Sequence, residues 1–324
     1  MKSWSSCFSM FCALHLCAAE VPKAPVPKSP HLPVVYSEVD AWLERGVTNA
    51  QQDQNLLRLL YTLSELSGKS AYRQAADEEL KLFVAHAAPA THEFSRPWLL
   101  WDRCFELAPE ASKRFAVGLL RREPPAAQAG FYIRAWAVAY AHTKDEQFLK
   151  GIETALDRSP AASLSFAIDC DGAAHRVPEP LTSRLRLLAA RQDEGFAPPQ
   201  KLTAQLGMMC VARYDNTGKP AYRELVLRAA DTDLHAMFAE GEDTSAAAFG
   251  QAISLQVAAW RHSANPEYFE RARKIADLAV EKFLGTNPAA RGAGMDTLAL
   301  ALVELHLQIL HITAVRCPQN TIDR

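Results

Sequence analysis

One local pattern of apolar and polar residues recurs four times along the chain. In each copy a Ser or Thr stands five residues before an aromatic residue that opens an amphipathic helix; the four aromatic residues are Tyr72, Phe148, Tyr222 and Tyr268. Apolar residues then recur at spacings of three and four, which places them on one face of a helix. A second helical run without internal proline precedes each copy. The pattern therefore predicts a repeated unit of helix, tight turn, helix.

The junctions between the paired helices carry the residues that helix ends require. Gly68 and Gly218 follow apolar helical runs and suit the left-handed position just beyond a helix C-terminus. Pro220 and Pro266 suit the first turn of the next helix, where a missing N–H costs nothing. These residues predict that the turns within the hairpins are short.

The spacing of the four aromatic residues predicts the number of hairpins. They are 76, 74 and 46 residues apart, so each of the two wide gaps has room for a further, degenerate hairpin. Residues 98–107 and 111–120 fill the first gap, and 181–191 partly fill the second; residues 297–312 form a final helix. We expect about twelve to thirteen helices, or roughly six hairpins, in an all-α chain, because strand patterns are nearly absent.

Stacked helical hairpins form either an open superhelix or a closed ring. The period here is irregular and longer than the roughly 34 residues of a tetratricopeptide array. This irregularity favours a closed α/α toroid, with an open α-solenoid as the alternative.

Three runs resemble the six-hairpin glycosidase superfamily and the related toroidal polysaccharide lyases: residues 72–77 (YRQAAD), 98–102 (WLLWD) and 268–277 (YFERARKIAD). The resemblance is one of architecture, and it extends over most of the mature chain. It implies an (α/α)6-type toroid that works on carbohydrate, as a glycoside hydrolase or as a polysaccharide lyase acting on an acidic glycan. The alternative is a non-catalytic helical-repeat scaffold that binds a protein or a glycan.

The N-terminus has the pattern of an export signal. Lys2 is followed by a short apolar stretch from Cys7 to Leu16 and by small residues up to Ala19. We expect residues 1–19 to be a signal peptide, 20–33 a proline-rich linker, 34–316 the helical domain and 317–324 a tail. The protein is then periplasmic or secreted. A lipoprotein is the weaker option, because Leu16 stands where a small residue is usual.

Composition excludes several other classes of protein. A formal net charge of −2 gives no basic patch for nucleic acid, and no later apolar run reaches the roughly 18 residues of a membrane span. The cysteines left after export, Cys104, Cys170, Cys210 and Cys317, lack the C-x-x-C spacing of a zinc site, and their disulfide pairing is open. We expect no metal and no cofactor.

The connections of predicted irregular structure are unequal in length. Those within hairpins are short, whereas those between hairpins are longer, and residues 160–180 form the longest. In an up-and-down ring all connections of one kind lie at one end, and sites are usually built from long loops on a rigid scaffold. We therefore expect the site on the rim that carries the connections between hairpins.

Asp102 is the first candidate for the site. It follows Trp98 and Trp101 near the start of a predicted helix. A tryptophan offers a flat apolar face to a sugar ring, and the carboxylate binds hydroxyl groups or moves a proton. The alternative is an aspartate that interacts with the helix dipole beside tryptophans of the core.

The predicted long loop supplies the other ionisable candidates. Glycosidases need two carboxyl groups, whereas lyases need a base and a cation that faces the uronate carboxylate. Asp and Gly are also ordinary turn residues, so the Asp-Cys-Asp-Gly run at residues 169–172 also fits a turn that has no role in a site. An arginine beside a tyrosine, as at Tyr132 and Arg134, suits a carboxylate sugar. The predicted catalytic residues are Asp102, Asp169, Asp171 and His175, and the predicted substrate-binding residues are Trp98, Trp101, Tyr132, Arg134 and Arg176.

Overall fold

The computed structural model describes residues 30–46, 54–86, 100–157, 163–237, 245–284 and 294–316. These ranges are 83% helical and contain fourteen α-helices and no strand, which confirms the all-α prediction. The helices are α1 Leu32–Glu44, α2 Gln54–Ser67, α3 Ser70–His86, α4 Trp101–Leu107, α5 Pro109–Leu120, α6 Ala129–Thr143, α7 Gln147–Leu156, α8 Leu164–Ala174, α9 Leu181–Gly195, α10 Ala204–Thr217, α11 Pro220–Met237, α12 Ala246–Ser263, α13 Pro266–Phe283 and α14 Met295–Arg316.

The helices are of two kinds, which differ in how much of their surface is buried. Every residue of α6 from Ala129 to Ala139 is buried, and α12 is buried around most of its circumference. In contrast, α7 buries one face, formed by Phe148, Ile152 and Ala155 with the adjacent Leu156. Since a helix that is apolar on all sides needs neighbours on all sides, the first kind forms an inner layer and the second an outer layer.

The packing of the helices follows their order in the chain. The even-numbered helices contact one another in succession from α4 through α6, α8, α10 and α12 to α14, and α14 contacts α2. Each odd-numbered helix from α3 to α13 packs against the even-numbered helix before it, and α1 packs against α14. The two ends of the described chain therefore meet. Side-chain hydrogen bonds join them, from His31 to Asp277 at 2.7 Å and from Asn55 to Thr297 at 3.0 Å.

The four recurring aromatic residues lie in the same kind of environment. All of them are buried near the start of an odd-numbered helix. The three tyrosines also donate a hydrogen bond to an aspartate on the preceding odd-numbered helix: Tyr72 to Asp40 at 2.6 Å, Tyr222 to Asp193 at 2.6 Å and Tyr268 to Asp231 at 3.3 Å. The recurring aromatic residue thus anchors four of the outer helices, and in three of them the tyrosine hydroxyl ties the helix to the previous outer helix.

Tyr222→Phe is expected to lower the free energy of unfolding by about 1.5–3 kcal/mol, because the hydroxyl bonds a charged acceptor. Phe148 shows that the ring alone fits this position. Urea denaturation measures the change. Tyr140→Phe is the control, since its hydroxyl makes no hydrogen bond within the described ranges; an equal loss in both variants would contradict the role of the Tyr222 hydroxyl.

One segment predicted as a loop is a helix, so that prediction is wrong. Residues 164–174, within the predicted connection 160–180, form α8. Ser163 caps this helix, because its side chain accepts a hydrogen bond from the backbone N–H of Phe166 at 3.4 Å. The Asp and Gly residues that indicated a turn instead make contacts with the neighbouring helices α6 and α10. With this helix, the described helices make six hairpins of consecutive helices, the number expected, and α1 and α14 form a seventh pair.

The domain begins slightly earlier than the sequence indicated. Helix α1 starts at Leu32, two residues inside the predicted linker, with Pro33 in its first turn, where proline fits a helix. Cys104, Cys170 and Cys210 are free, buried thiols, whereas Cys317 lies outside the described residues, as do the predicted signal peptide and most of the linker. In the described part of the chain, no helix is both long enough and apolar enough to cross a membrane.

Candidate functional site

Asp102 lies at the centre of a cluster of charged side chains from α4, α6 and the end of α8. Its carboxylate accepts two parallel hydrogen bonds from Arg176, at 2.9 Å and 2.6 Å. The Nε2 atom of His142 lies 3.0 Å from Oδ1 of the same carboxylate. All three side chains are between a quarter and a third exposed, so solvent reaches the cluster.

The charges around Asp102 keep it ionised. Burial alone raises the pKa of this carboxyl, but hydrogen bonds and charges from His142 and Arg176 outweigh burial and hold the pKa below its usual value. An ionised carboxylate only accepts hydrogen bonds. Asp102 is therefore an acceptor near neutral pH and does not supply a proton.

The same carboxylate fixes the tautomer of His142. Because Asp102 accepts, Nε2 of the neutral imidazole carries the hydrogen and Nδ1 is left as an acceptor. Phe105 stacks on the imidazole with 5.0 Å between the ring centroids and 11° between the planes. His142 is thus oriented on two sides, as a general base requires.

A buried ion pair lies between α6 and α8. The Nη1 atom of Arg134 is 3.5 Å from Oδ1 of Asp169, and the two side chains are 8% and 14% exposed. Burial outweighs the attraction of Arg134 and raises the pKa of Asp169 to about 6. Burial likewise lowers the pKa of Arg134 to about 10. Asp169 is therefore a carboxyl whose protonation changes close to neutral pH.

Two glycines make this buried pair possible. A Cβ atom at Gly130 of α6 would lie 2.6 Å from Oδ2 of Asp169, and one at Gly172 of α8 would lie 2.6 Å from Cζ of Arg134. Each helix thus carries a glycine where the charged side chain of the other helix is inserted. Glycine inside a helix costs about 1 kcal/mol relative to alanine, so these positions serve the ion pair at the expense of helix stability.

Gly172→Ala is expected to destabilise the protein by about 1–3 kcal/mol, because the added methyl group displaces the guanidinium of Arg134 from its buried ion pair with Asp169. Calorimetric or urea unfolding measures the change. The sign of the change in the free energy of unfolding is the test, since an unhindered Gly→Ala change inside a helix stabilises the protein by up to about 1 kcal/mol. A stabilised variant would show that Arg134 is not held against Gly172.

The ion pair and the Asp102 cluster are electrostatically connected. The charge of Asp102 raises the pKa of Arg134, and the charge of Arg176 lowers it. Five ionisable side chains from three consecutive even-numbered helices therefore form one group, which we call the Asp102 cluster: Asp102, Arg134, His142, Asp169 and Arg176.

Asp102 lies in the first turn of α4, at a helix start as predicted, but its partners His142 and Arg176 lie at helix ends. His142 lies in the last turn of α6, and Arg176 follows the end of α8. These C-terminal ends carry the short connections 144–146 and 175–180. The site was predicted among the longer connections between hairpins, and helix α8 shortens one of these, residues 160–180.

Two further residues predicted as catalytic have other surroundings. Asp171 accepts a hydrogen bond from Arg213 of α10, a guanidinium that is 1% exposed and also bonds Asp193. His175 lies just beyond α8, and its side chain is largely exposed. Partial burial of the imidazole, followed by the charge of Arg186, lowers its pKa. Asp171 is therefore part of a link between helices, and neither residue bonds Asp102 among the described contacts.

Two of the three aromatic residues predicted to bind sugar, Trp101 and Tyr132, belong to the core, so the interpretation of these two requires correction. Trp101 is 1% exposed, with its ring centroid 4.9 Å from that of Phe115. Tyr132 is also buried, edge-on to Trp136 at 5.5 Å. Trp98 lies outside the described residues. Aromatic spacing on a helix face reports core packing more often than binding, because burial of the rings stabilises the fold.

His142 was missed, although the repeat contained a signal. It directly precedes Thr143, one of the recurring Ser or Thr residues, and His262 has the same position before Ser263. His262 also faces an aspartate, Asp215, at 3.6 Å. The available signal was that two copies of the repeat carry a histidine at the same position, at the end of the first helix of the hairpin.

Comparison of the chain with known protein families, with curated proteins and with solved structures found no match. Within the described ranges, no group of three or more His, Cys, Asp and Glu side chains could hold a metal ion. The class of the protein therefore has to be inferred from the helical architecture and the Asp102 cluster.

Proposed function

We propose that this protein is an exported α/α toroid that cleaves an acidic polysaccharide, with the Asp102 cluster as its active site. The contacts of α14 with α1 and α2 support a closed ring, because an open solenoid separates its first and last helices. In this arrangement α1 is the outer partner of α14, so the ring consists of six hairpins, as the resemblance to six-hairpin glycosidases implies, and one further pair formed by the two ends of the chain.

The observation that carries the proposed activity is the contact of Asp102 with both His142 and Arg176. It supplies an oriented base beside a cation, the two groups that β-elimination at a uronic acid needs. Two of the five N–H groups of Arg176 bond Asp102, which leaves three to bind a substrate carboxylate.

The proposed reaction uses these groups in one sequence. Nδ1 of His142 accepts the proton from the carbon beside the uronate carboxylate, while Arg176 stabilises the negative charge that develops on that carboxylate. The electron pair of the C–H bond forms a new carbon–carbon double bond. The glycosidic C–O bond breaks, and its oxygen takes a proton from water. The hydroxide that remains takes the proton from His142, which restores the neutral imidazole and the water. Asp102 is a positioning residue that holds His142 in the required tautomer.

Hydrolysis is the second candidate, because two carboxyl groups of the Asp102 cluster have pKa values that are shifted in opposite directions. Asp169 has a pKa raised to about 6, whereas the pKa of Asp102 lies below its usual value. A protonated and an ionised carboxyl are what a glycosidase needs. Elimination is favoured, because Asp169 is engaged with Arg134 between two helices and is less accessible than His142.

A non-catalytic scaffold is the third candidate, on a different observation. Asp102 pairs with Arg176, and Asp169 pairs with Arg134, so each of these charges has an opposite charge within the protein. Such pairs also serve to hold helices in register.

A screen of the mature chain against acidic and neutral polysaccharides separates the three candidates. Elimination gives unsaturated products, detected by ultraviolet absorbance, together with new reducing ends. Hydrolysis gives reducing ends alone. We expect unsaturated products from polyuronates and none from neutral glycans. Binding without either product would support the scaffold, and neither binding nor products would overturn the proposed function.

Export has its own test. N-terminal sequencing of the protein produced by its native host is expected to begin at Glu20, because the apolar stretch ends in small residues before that position. A mature protein that begins at Met1 would contradict export by this signal.

A further inference from the structure

Glu304 is an isolated carboxylate on an otherwise apolar inner helix. Between Thr297 and Val315, helix α14 has no other acidic or basic residue apart from two histidines. The Oε2 atom of Glu304 accepts a hydrogen bond from the hydroxyl of Ser254 on α12 at 2.9 Å. Its Oε1 atom lies 3.4 Å from Nη2 of Arg58 on α2. The three side chains form what we call the Glu304 cluster.

The position of these partners shows where Glu304 points. Helix α14 packs against α1 and α13 of the outer layer and between α2 and α12 of the inner layer. Both partners of Glu304 come from the inner helices, so its side chain lies on the side of α14 away from α1 and α13. The side chains of Arg58 and Glu304 are 39% and 32% exposed, so this side is open to solvent.

Stability gives little reason for a carboxylate at this position. An ion pair exposed to this extent contributes about 0–1 kcal/mol, and the rest of the helix is stabilised by burial of leucine and alanine. A carboxylate, a guanidinium and a hydroxyl from three helices are, however, a set of groups that binds an acidic sugar. The guanidinium pairs with a uronate carboxylate, and the carboxylate accepts hydrogen bonds from sugar hydroxyls.

Polar contacts join α2, which carries Arg58, to α4, which carries Asp102, through the outer helix α3. One turn beyond Arg58 on α2, Tyr61 donates a hydrogen bond to Asp77 of α3 at 2.6 Å. Asp77 also accepts from Arg103 at 2.7 Å, and Arg103 is next to Asp102 in α4. Helices α2 and α4, each of which carries one residue of a cluster, are thus tied to the same outer helix, α3.

We propose that Glu304, Arg58 and Ser254 form a second subsite that binds another uronic acid unit of the same polysaccharide chain. This inference rests on the proposed function and adds to it that the substrate is recognised over more than one sugar. Arg58 binds the carboxylate of that unit, and Glu304 binds its hydroxyl groups.

The test is the affinity of the full mature chain for oligogalacturonates of increasing length, measured by isothermal titration calorimetry. Arg58→Gln is expected to weaken the binding of long oligomers at least about tenfold, because a charge-assisted hydrogen bond is lost. Glu304→Gln is expected to weaken the same binding. Arg184→Gln is the matched control, since Arg184 forms an exposed ion pair with Asp157 on the outer layer. The control is expected to bind like the unaltered protein.

The results separate this inference from the proposed function. If the Arg58 and Glu304 variants bind every oligomer as tightly as the control, while Arg176→Gln loses binding, the second subsite is overturned and the proposed site stands. If the unaltered protein binds no acidic oligomer, both are overturned. Should Glu304→Gln fail to fold, Arg58→Lys provides the same test, because lysine keeps the charge and loses the bidentate geometry.

Discussion

Arg213→Met is expected to lower the free energy of unfolding by about 3–5 kcal/mol, the largest stability change that we predict for this protein. Arg213 is 1% exposed and donates hydrogen bonds to Asp193 of α9 and to Asp171 of α8. The variant leaves the carboxylate of Asp193, which is 3% exposed, without its guanidinium. Lys219 and Tyr222 still bond Asp193, but the link between α8, α9 and α10 is lost.

Urea denaturation with two further variants tests this prediction. Arg273→Met removes an exposed arginine that pairs with Glu270 on α13, and it is expected to change the free energy of unfolding by less than about 0.5 kcal/mol. Adding Asp193→Asn to Arg213→Met should cost less than the sum of the two single changes, because both remove the same interaction. A loss below about 1 kcal/mol for Arg213→Met alone would show that the buried guanidinium is dispensable.

The carboxylate of Asp193 makes the stability of the protein depend on pH, and the direction of that dependence can be stated. Burial opposes the charge on Asp193, but hydrogen bonds from Arg213, Tyr222 and Lys219 outweigh burial and hold its pKa below the usual value. A lowered pKa in the folded state means that the stabilisation is present above the ordinary pKa of aspartate and is lost as the pH falls through the folded pKa. Arg213→Met should therefore reduce the loss of stability in acid.

Asp102→Asn is expected to lower the rate of the proposed polysaccharide cleavage by about 10²- to 10⁴-fold, the range of general acid–base catalysis. The amide side chain no longer requires a hydrogen on Nε2 of His142, so the imidazole loses its fixed tautomer. His142→Ala should lose a similar factor. The double variant should lose little more, because the two residues act as a unit.

Stability measurements distinguish a positioning role from a structural one. The side chains of Asp102, Arg176 and His142 remain partly exposed, so Asp102→Asn should change the free energy of unfolding by no more than about 1 kcal/mol. Asp157→Asn, which removes the exposed partner of Arg184, is the control for a surface ion pair. Full activity together with a clear loss of stability in Asp102→Asn would assign the residue a structural role only.

The helices and their turns could be predicted from the sequence, because the forces that form them act within a few residues. Apolar spacing marked most helices, and Gly68 and Gly218 have the left-handed backbone that was expected, with φ of 71° and 66°. The equivalent positions of the other two turns, Lys144 and Ala264, have φ of 57° without a glycine. Their sequences gave no such signal, and the packing of the paired helices imposes the turn.

The composition of a segment was least informative where tertiary contacts decide its structure. Asp169, Asp171 and Gly172 have low helix propensity and indicated a turn. In α8 they instead face Arg134, Arg213 and the close approach of α6, and these contacts outweigh their local preference. Trp101 indicated a sugar-binding surface, but its neighbours Phe83 and Phe115 enclose it.

The candidate site was predicted in part, because the residue types were visible and their partners were not. Asp102, Arg134, Asp169 and Arg176 were named from the sequence, but Asp102 and Arg176 are 74 positions apart and meet only through the packing of α4, α6 and α8. The contacts of Asp102 with Arg176 and His142 keep Asp102 ionised and orient the imidazole of His142. The sequence by itself determined the helices and the chemical groups that they carry, because helix formation depends on near neighbours. Only the tertiary structure decided the pairing of those groups, because the charge state of an ionisable side chain depends on burial and on partners that are distant along the chain.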